Sequence, residues 1–166
     1  MKEALYVESL LPGFSFTLLY RGSRDGWRPK DFHDRCDNKG ATVTVIKSSK
    51  GRISGGYTQL SWTSPSSGTY YKDDSAFLFS VSFSKKYPLT SGQKAIYCSS
   101  TFGPDFDSGN SNLGLFSEPM NGNNNGVSKL GFGYNIPGDS EGKSILTGDG
   151  DRFTCVEVEV YQVTKN

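Results

Sequence analysis

The stretch LYRGSRDGWRPKDFHDRCDN, residues 19–38, leaves an apolar run, turns through two glycines and enters the most regular helical pattern of the chain. The run before the turn, FSFTLLYR at residues 14–21, alternates in polarity as a half-buried strand does. Pro29 suits the first turn of a helix, where a missing N–H costs nothing. Phe32 and Cys36 are four residues apart, so a helix would place both on one buried face. The stretch therefore predicts a strand, a turn and a helix that docks on the same core.

Short runs of β-branched and aromatic residues continue beyond this stretch, separated by Gly-, Ser- and Asn-rich turns. Residues 42–47 (TVTVIK) and 52–58 (RISGGYT) flank a four-residue loop and are predicted to form a β-hairpin. The pair Gly55-Gly56 predicts a bulge, or a place where a ring packs close to the backbone, and Trp62 is well placed to supply that ring. Further strands are predicted at residues 77–83, 93–98, 113–116, 130–134 and 153–163.

Roughly eight strands and one convincing helix predict a mainly β (α+β) fold, a two-layer antiparallel β-sandwich flanked by a few short helices. The length of 166 residues fits one domain. We predict that residues 1–13 form an N-terminal extension with a short helix, and that residues 14–166 form a single β-sandwich domain. The first and last strands are both long and apolar, so they are expected to lie near each other.

The charge of the chain is balanced overall but uneven along its length. The net charge is +1, with ten Lys and Arg against six Asp and Glu in residues 1–52 and eight against eleven in the remainder. This balance gives no global attraction to nucleic acid. No apolar run has the length of a membrane span, and no signal-peptide pattern follows Met1. Three scattered cysteines do not make a disulfide framework, so a cytoplasmic location is predicted.

Few residues could carry chemistry, and the sequence contains no complete catalytic pattern. His33 and Cys36 have the spacing of a metal pair, but no second pair completes a zinc site, and neither a metal nor a cofactor is predicted. A nucleophilic pair would require Cys98 or Cys155 to fold against His33. A cysteine-based redox or hydrolytic enzyme stays open as an alternative function.

Acidic residues offer a further possibility. Glu157 and Glu159 share one face of the last predicted strand, so they form a possible acidic pair. If that face is covered, Arg21 and Arg24 are the expected basic partners. Asp149-Gly150-Asp151 resembles part of a calcium loop without its closing glutamate. Together with the Asp- and Asn-rich loops between residues 99 and 151, it leaves a cation- or carbohydrate-binding β-sandwich as a second alternative.

Arginine is concentrated at the opening stretch. Five of the six arginines lie between residues 21 and 52, and four of these fall within residues 19–38. Arginine and tryptophan are the residue types that most often dominate the energetics of protein interfaces. We therefore predict a surface that binds an acidic protein partner, formed by Arg21, Arg24, Asp25, Arg28 and Arg35. The sequence leaves the oligomeric state open.

The order of the motifs resembles the TLDc domain family. The motifs are LYRGSRDGW at residues 19–27, FH at 32–33, CDNKG at 36–40, TVTVIK at 42–47, ISGGYT at 53–58 followed by Trp62, FLFS at 77–80, FGPDF at 102–106 and EVEVY at 157–161. Single motifs are not diagnostic, but their fixed order extends over nearly the whole chain. The resemblance implies a β-sandwich of two antiparallel sheets with a few short helices.

The resemblance also implies a function, a non-enzymatic protein-interaction module. The family is associated with resistance to oxidative stress, and several members bind the peripheral sector of the vacuolar-type proton ATPase and regulate its assembly. This chain departs from the best-known animal oxidation-resistance proteins after Phe106, where DSGN stands in place of a denser glycine cluster, and in the Asn-rich residues 121–126. It is more similar to TLDc domains of protists or of multidomain proteins.

Overall fold

The computed structural model describes residues 2–136 and 142–166, and within them strands predominate. The helices in these residues are α1 (Lys2–Leu10), α2 (Gly22–Asp25), α3 (Pro29–Cys36) and a 3-10 turn at Gly142–Ser144. The strands are β1 (Phe14–Arg21), β2 (Thr42–Ser48), β3 (Ile53–Thr58), β4 (Thr69–Lys72), β5 (Phe77–Ser80), β6 (Lys85–Pro88), β7 (Lys94–Cys98), β8 (Asp105–Asp107), β9 (Ser111–Leu115), β10 (Gly126–Val127), β11 (Arg152–Phe153) and β12 (Cys155–Lys165).

The strands form antiparallel sheets of six, four and two strands. The order in the large sheet is β1-β12-β2-β3-β5-β6, and the order in the four-stranded sheet is β11-β10-β9-β8. The first and last strands pair, with Arg21 opposite Glu159. The predicted β2–β3 hairpin is present, with Thr42 opposite Thr58. The prediction of a mainly β fold with packed antiparallel sheets and short helices is confirmed.

A bulge at Leu19 divides strand β1 into two parts that face different clusters. The register with β12 shifts between Leu18 and Tyr20. Before the bulge, Phe14 and Phe16 pack in a cluster with α1, whereas Tyr20 after the bulge lies in the main core. Because one extra residue reverses the alternation, Phe14 and Phe16 do not share a face with Tyr20.

Helix α1 covers the outer face of the large sheet. Val7 and Leu11 are buried in a cluster whose other fully buried members come from the sheet, namely Val43, Tyr57, Phe77, Phe79 and Val163. Leu5 is 66% exposed, so this leucine does not belong to the cluster. The helix therefore shares a hydrophobic cluster with the sheet, and the predicted boundary after residue 13 stays a prediction. No helix in the described ranges is long and apolar enough to cross a membrane.

A column of aromatic rings runs through the main core. Tyr20, Phe32, Trp62 and Phe106 follow one another with centroid separations of 5.8, 5.6 and 5.6 Å. A Cβ atom on Gly56 would lie 2.5 Å from the Phe106 ring, so the glycine leaves room for that ring. The close ring predicted over Gly55-Gly56 is thus Phe106, while Trp62 packs edge-on against it. We call these four rings the aromatic column.

Four stretches differ from the sequence prediction. Strands β4 and β6 lie in stretches that their polar composition predicts as loops, because both strands are exposed along most of their length. Strand β5 ends at Ser80, so Phe83 lies outside it and is 39% exposed. The Gly-rich residues 130–134 form turns and one isolated bridge, from Tyr134 to Leu89, instead of a strand.

Candidate interaction surface

The turn between β1 and α3 is fixed by close packing. The hydroxyl of Tyr20 donates to the carbonyl of Gly26 at 2.7 Å. A Cβ atom on Gly22 would lie 2.5 Å from the Trp27 ring, so only glycine allows this ring to rest on the backbone. Gly26 itself has φ of 114°, a conformation that favours glycine. The residues carried by this turn therefore have well-defined positions.

Asp25 is the centre of the charged residues on this turn. Its side chain is 6% exposed. It accepts hydrogen bonds from the backbone N–H of Arg21 at 2.9 Å and from Nε and Nη2 of Arg24 at 2.8 and 2.7 Å. Nε of Arg35 lies 3.3 Å from the same carboxylate. These hydrogen bonds, with that of Arg24 foremost, lower the pKa of Asp25 to about 2.

A second pair lies at the start of α3. Nε and Nη2 of Arg28 donate to the two oxygens of Asp31 at 3.0 and 2.7 Å, and the backbone N–H of Arg28 donates to the same side chain. The pKa of Asp31 is lowered, chiefly by the Arg28 guanidinium. Asp31 thus satisfies a backbone donor at the helix N-terminus while it orients Arg28. Farther along the helix, Lys30 pairs with Asp34 at 2.7 Å.

The predicted acidic pair, Glu157 and Glu159, has a separate set of donors for each carboxylate. Glu159 accepts from Nε of Arg21 at 2.7 Å, and the hydroxyl of Tyr161 also donates to it. Glu157 accepts from the backbone N–H of Ser23 at 3.1 Å and from the Ser23 hydroxyl. The expected partner Arg21 is therefore in place, whereas Arg24 pairs with Asp25. The two glutamates therefore hold the turn against β12 through separate hydrogen bonds.

The predicted partner-binding residues lie together, and we call them the arginine surface (Arg21, Arg24, Asp25, Arg28 and Arg35). The guanidinium side chains are 40%, 49%, 59% and 42% exposed in chain order. Their carboxylate partners are more covered, at 22% for Glu159, 6% for Asp25 and 11% for Asp31. A partner would therefore meet the cations first. Among the described hydrogen bonds, Nη1 of Arg24 and of Arg28 has no acceptor.

A groove adjoins this surface between α1 and the outer face of the large sheet. Its volume is about 350 Å³, and its lining is formed by Ala4, Val7, Glu8, Phe16, Val45, Glu159 and Tyr161. Burial and the neighbouring Glu159 raise the pKa of Tyr161 to about 12, so this phenol stays protonated. Glu159 connects the groove to the arginine surface because it also binds Arg21.

His33 has a structural environment and does not face any cysteine. It is buried, its Nδ1 lies 2.6 Å from Asp37 Oδ1, and its Nε2 lies 2.9 and 2.8 Å from the carbonyls of Ser99 and Phe102. Both ring nitrogens are thus engaged with groups of the protein. His33 therefore connects α3 to the segment before β8.

The three cysteines are buried and free. Burial raises the pKa of the Cys155 thiol to about 12 and also raises the pKa of Cys36 and Cys98. A nucleophilic or redox-sensing cysteine needs an accessible thiolate, whereas these three thiols are buried and stay protonated at neutral pH. The contacts of the described residues therefore do not favour the alternative of a cysteine-based enzyme.

The described residues contain no group of three or more His, Cys, Asp or Glu side chains that could hold a metal ion. Asp149, in the fragment that resembles a calcium loop, lies 3.9 Å from Nζ of Lys50. Residues 137–141, which belong to the loops considered for a cation or a sugar, lie outside the described part of the chain.

One polar group was not identified from the sequence. Asp105 and Asp107 of β8 are both buried, and the hydroxyl of Ser111 lies 3.4 Å from an oxygen of each. Burial raises the pKa of both carboxyls. The alternation in FGPDFD was a usable signal, because strand residues two apart share a face. The polar, Gly- and Ser-rich composition of this stretch instead predicts a loop that contains both aspartates.

Comparison with known proteins supports the family resemblance of the motifs. A family model described as the TLDc domain matches residues 5–164, nearly the whole chain. A search of curated proteins found no match.

Proposed function

Because the chain belongs to the TLDc domain family, we propose that it is a non-enzymatic protein-interaction module whose arginine surface binds an acidic partner. The observation that carries this proposal is the arrangement of exposed guanidinium groups over covered carboxylates. Arg24 and Arg28 are about half exposed, while the side chains of Asp25 and Asp31 are almost covered. The proposal assigns recognition, and no bond-making step, to these residues.

Fixed guanidinium groups suit recognition of carboxylates on a partner. A guanidinium group presents several N–H donors in a planar array, and one edge can bind an internal carboxylate while another faces outward. The internal carboxylates of Asp25 and Asp31 hold the arginine side chains in place before a partner arrives. Less side-chain entropy is then lost on binding, and affinity rises accordingly.

The partner that we propose is an acidic surface of the peripheral sector of the vacuolar-type proton ATPase. Motif resemblance to TLDc proteins supports this choice, and a surface led by arginine side chains is complementary to acidic residues. In this proposal the module acts in the cytoplasm, where that sector is exposed, and its contribution to oxidative-stress resistance follows from regulation of the ATPase.

The test is a binding measurement with the purified peripheral sector. The double variant Arg24→Gln and Arg28→Gln removes two cations and keeps polar side chains of similar length. We expect affinity to fall at least tenfold, which is about 1.4 kcal/mol and within the range for interface arginines. Binding of the wild-type chain is also expected to weaken as salt is raised from roughly 50 to 300 mM.

The matched control is Arg152→Gln, because Arg152 is an exposed arginine on β11, outside the arginine surface. This control should bind as the wild type does. Equal affinity of the double variant and the wild type would show that the surface is wrong. Failure of the wild-type chain to bind the sector at any salt concentration would show that the partner is wrong.

A further inference from the structure

The buried carboxyl groups of Asp105 and Asp107 have no role in the interaction surface, and their surroundings are unusual for two acids. Asp105 is 0% exposed and Asp107 is 7% exposed. Oδ2 of each carboxyl lies 3.4 Å from the same hydroxyl, that of Ser111. Oδ1 of Asp105 is buried without a hydrogen-bond partner among the described residues. An ionised, unpartnered carboxylate in such a place is very costly.

The two aspartates differ in the groups that stabilise their ionised forms. Asp107 accepts from the backbone N–H of Gly109 at 2.6 Å, lies 3.5 Å from the hydroxyl of Tyr70, and is stabilised as an anion by the charge of Lys94. Within the described part of the chain, Asp105 has only the long contact to Ser111. If one of the two is ionised, it is therefore Asp107, and Asp105 holds a proton.

A single proton also completes the hydrogen bonds of this group. The hydroxyl of Ser111 has one hydrogen to donate and lone pairs to accept. With both carboxyls ionised, two acceptors compete for that one hydrogen. With Asp105 protonated, its O–H can donate to Ser111, and Ser111 can donate to Asp107. The arrangement is thus satisfied as a chain of two hydrogen bonds when one proton is bound.

The other titratable groups around the pair do not replace this proton. Four titratable side chains interact electrostatically with one or both aspartates, namely Tyr70 of β4, Lys94 and Cys98 of β7, and Tyr134. Burial raises the pKa of Tyr70, Cys98 and Tyr134, so these groups are neutral at physiological pH. Lys94 is exposed and acts on Asp107. A metal ion is not an alternative, since no third ligand joins the pair in the described residues.

The strand that carries the pair can respond to loss of the proton. Strand β8 is at the edge of the four-stranded sheet, so its separation from β9 breaks a single ladder. Phe106 lies between the two aspartates in sequence and packs in the aromatic column against Trp62. Movement of β8 would therefore expose Trp62 as well as the two carboxyls.

We propose that Asp105 and Asp107 form a buried proton-binding site that holds strand β8 against β9, and that loss of the proton at raised pH releases β8 from the sheet. Because the folded state favours the protonated form of Asp105, its contribution to stability is complete below the unfolded-state pKa of about 4 and is lost as pH rises toward the folded-state pKa. In that interval, unfolding releases about one proton from this site.

The first experiment is urea unfolding of the wild type and Asp105→Asn between pH 5.5 and 8.5. Asparagine keeps the shape and cannot ionise, so the ratio of the two unfolding constants, wild type over variant, should rise by up to about tenfold for each pH unit and level off once the folded state loses the proton. Asp74→Asn is the control, since Asp74 is exposed, and it should follow the pH dependence of the wild type. A ratio that does not change with pH would overturn the proton site.

A second measurement needs only the wild type, so it tests the site even if Asp105→Asn does not fold. Proton release on unfolding of the wild type can be measured directly between pH 5 and 8, and a value near zero at every pH would also overturn the site. Hydrogen exchange then tests release of β8. Amides that bond β8 to β9 should become less protected as pH rises, relative to amides of β2 and β12, together with a red shift of tryptophan emission. Uniform protection across these strands at every pH would overturn the release.

Discussion

Replacing Asp25 with asparagine is expected to weaken partner binding even though it makes the arginine surface more positive. Asp25 binds Arg24 through two hydrogen bonds, lies 3.3 Å from Nε of Arg35 and accepts the backbone N–H of Arg21. Asparagine keeps the volume of the side chain but turns one acceptor oxygen into a donor that faces cations. The exposed guanidinium groups would then lose their fixed positions.

The size of the effect on stability follows from the pKa of Asp25. A fall from 3.8 to about 2 corresponds to nearly two pKa units, and each unit is worth about 1.4 kcal/mol. The side chains of Arg24 and Arg35 are 49% and 42% exposed, so solvent screens part of this interaction. We therefore expect Asp25→Asn to lower the free energy of unfolding by about 1–2 kcal/mol at pH 7.

The pH dependence gives the sign of the same effect. The folded-state pKa of Asp25 is depressed, so its contribution is present above the unfolded-state value of about 4 and is lost as pH falls through about 2. The stability difference between the wild type and Asp25→Asn should therefore shrink between pH 4 and 2. Urea unfolding at a series of pH values measures it.

The binding assay separates fixed geometry from simple charge attraction. The control is Asp34→Asn, because Asp34 is 52% exposed and pairs only with Lys30 among the described ion pairs. Both variants remove one negative charge near the arginines. Charge attraction alone predicts that both bind an acidic partner more tightly than the wild type does. We expect Asp34→Asn to follow that prediction and Asp25→Asn to bind more weakly. Tighter binding by Asp25→Asn would refute the argument from fixed geometry.

Two further predictions concern the core. Gly56→Ala should lower the free energy of unfolding by about 1–3 kcal/mol, because its Cβ would press on the Phe106 ring. Gly150→Ala is the control and should change this free energy little, because a Cβ at Gly150 meets nothing within 4 Å. Thermal melts of both variants would measure the difference. The buried thiols should react with iodoacetamide only as fast as the protein unfolds, and rapid native labelling of one cysteine, read by mass spectrometry, would revive the enzyme alternative.

The fold was largely predictable because its main elements have strong local patterns. The alternation of FSFTLLYR and of VEVEVY indicates two strands, and Pro29 with the spacing of Phe32 and Cys36 indicates a helix. The bulge at Leu19 was not predictable from such a pattern. It depends on the register with β12, which is set by distant residues. Short exposed strands such as β4 were not predictable either, because their amino-acid composition is that of a loop.

The candidate site was predictable in its members but not in its internal organisation. Clustered arginines in residues 19–38 indicated a surface. The sequence did not show that Asp25 is covered and shared by Arg24 and Arg35, because burial of a short polar side chain depends on the turn around it. The burial of Asp105 and Asp107 was not predicted for a related reason. A buried carboxyl is rare, so polar residues in a Gly- and Ser-rich stretch indicate a loop first.

The arginine surface and the buried aspartates meet the same aromatic column at opposite ends. At one end Tyr20 donates to the carbonyl of Gly26, and this bond fixes the turn that carries Arg24 and Asp25. At the other end Phe106 is carried by the strand of the proton site. Rings in a close-packed core cannot shift independently, so loss of Phe106 from the column would remove support from Trp62 and then from Phe32 of α3. The fixed geometry of the surface thus depends on a core that is complete only while β8 stays in its sheet.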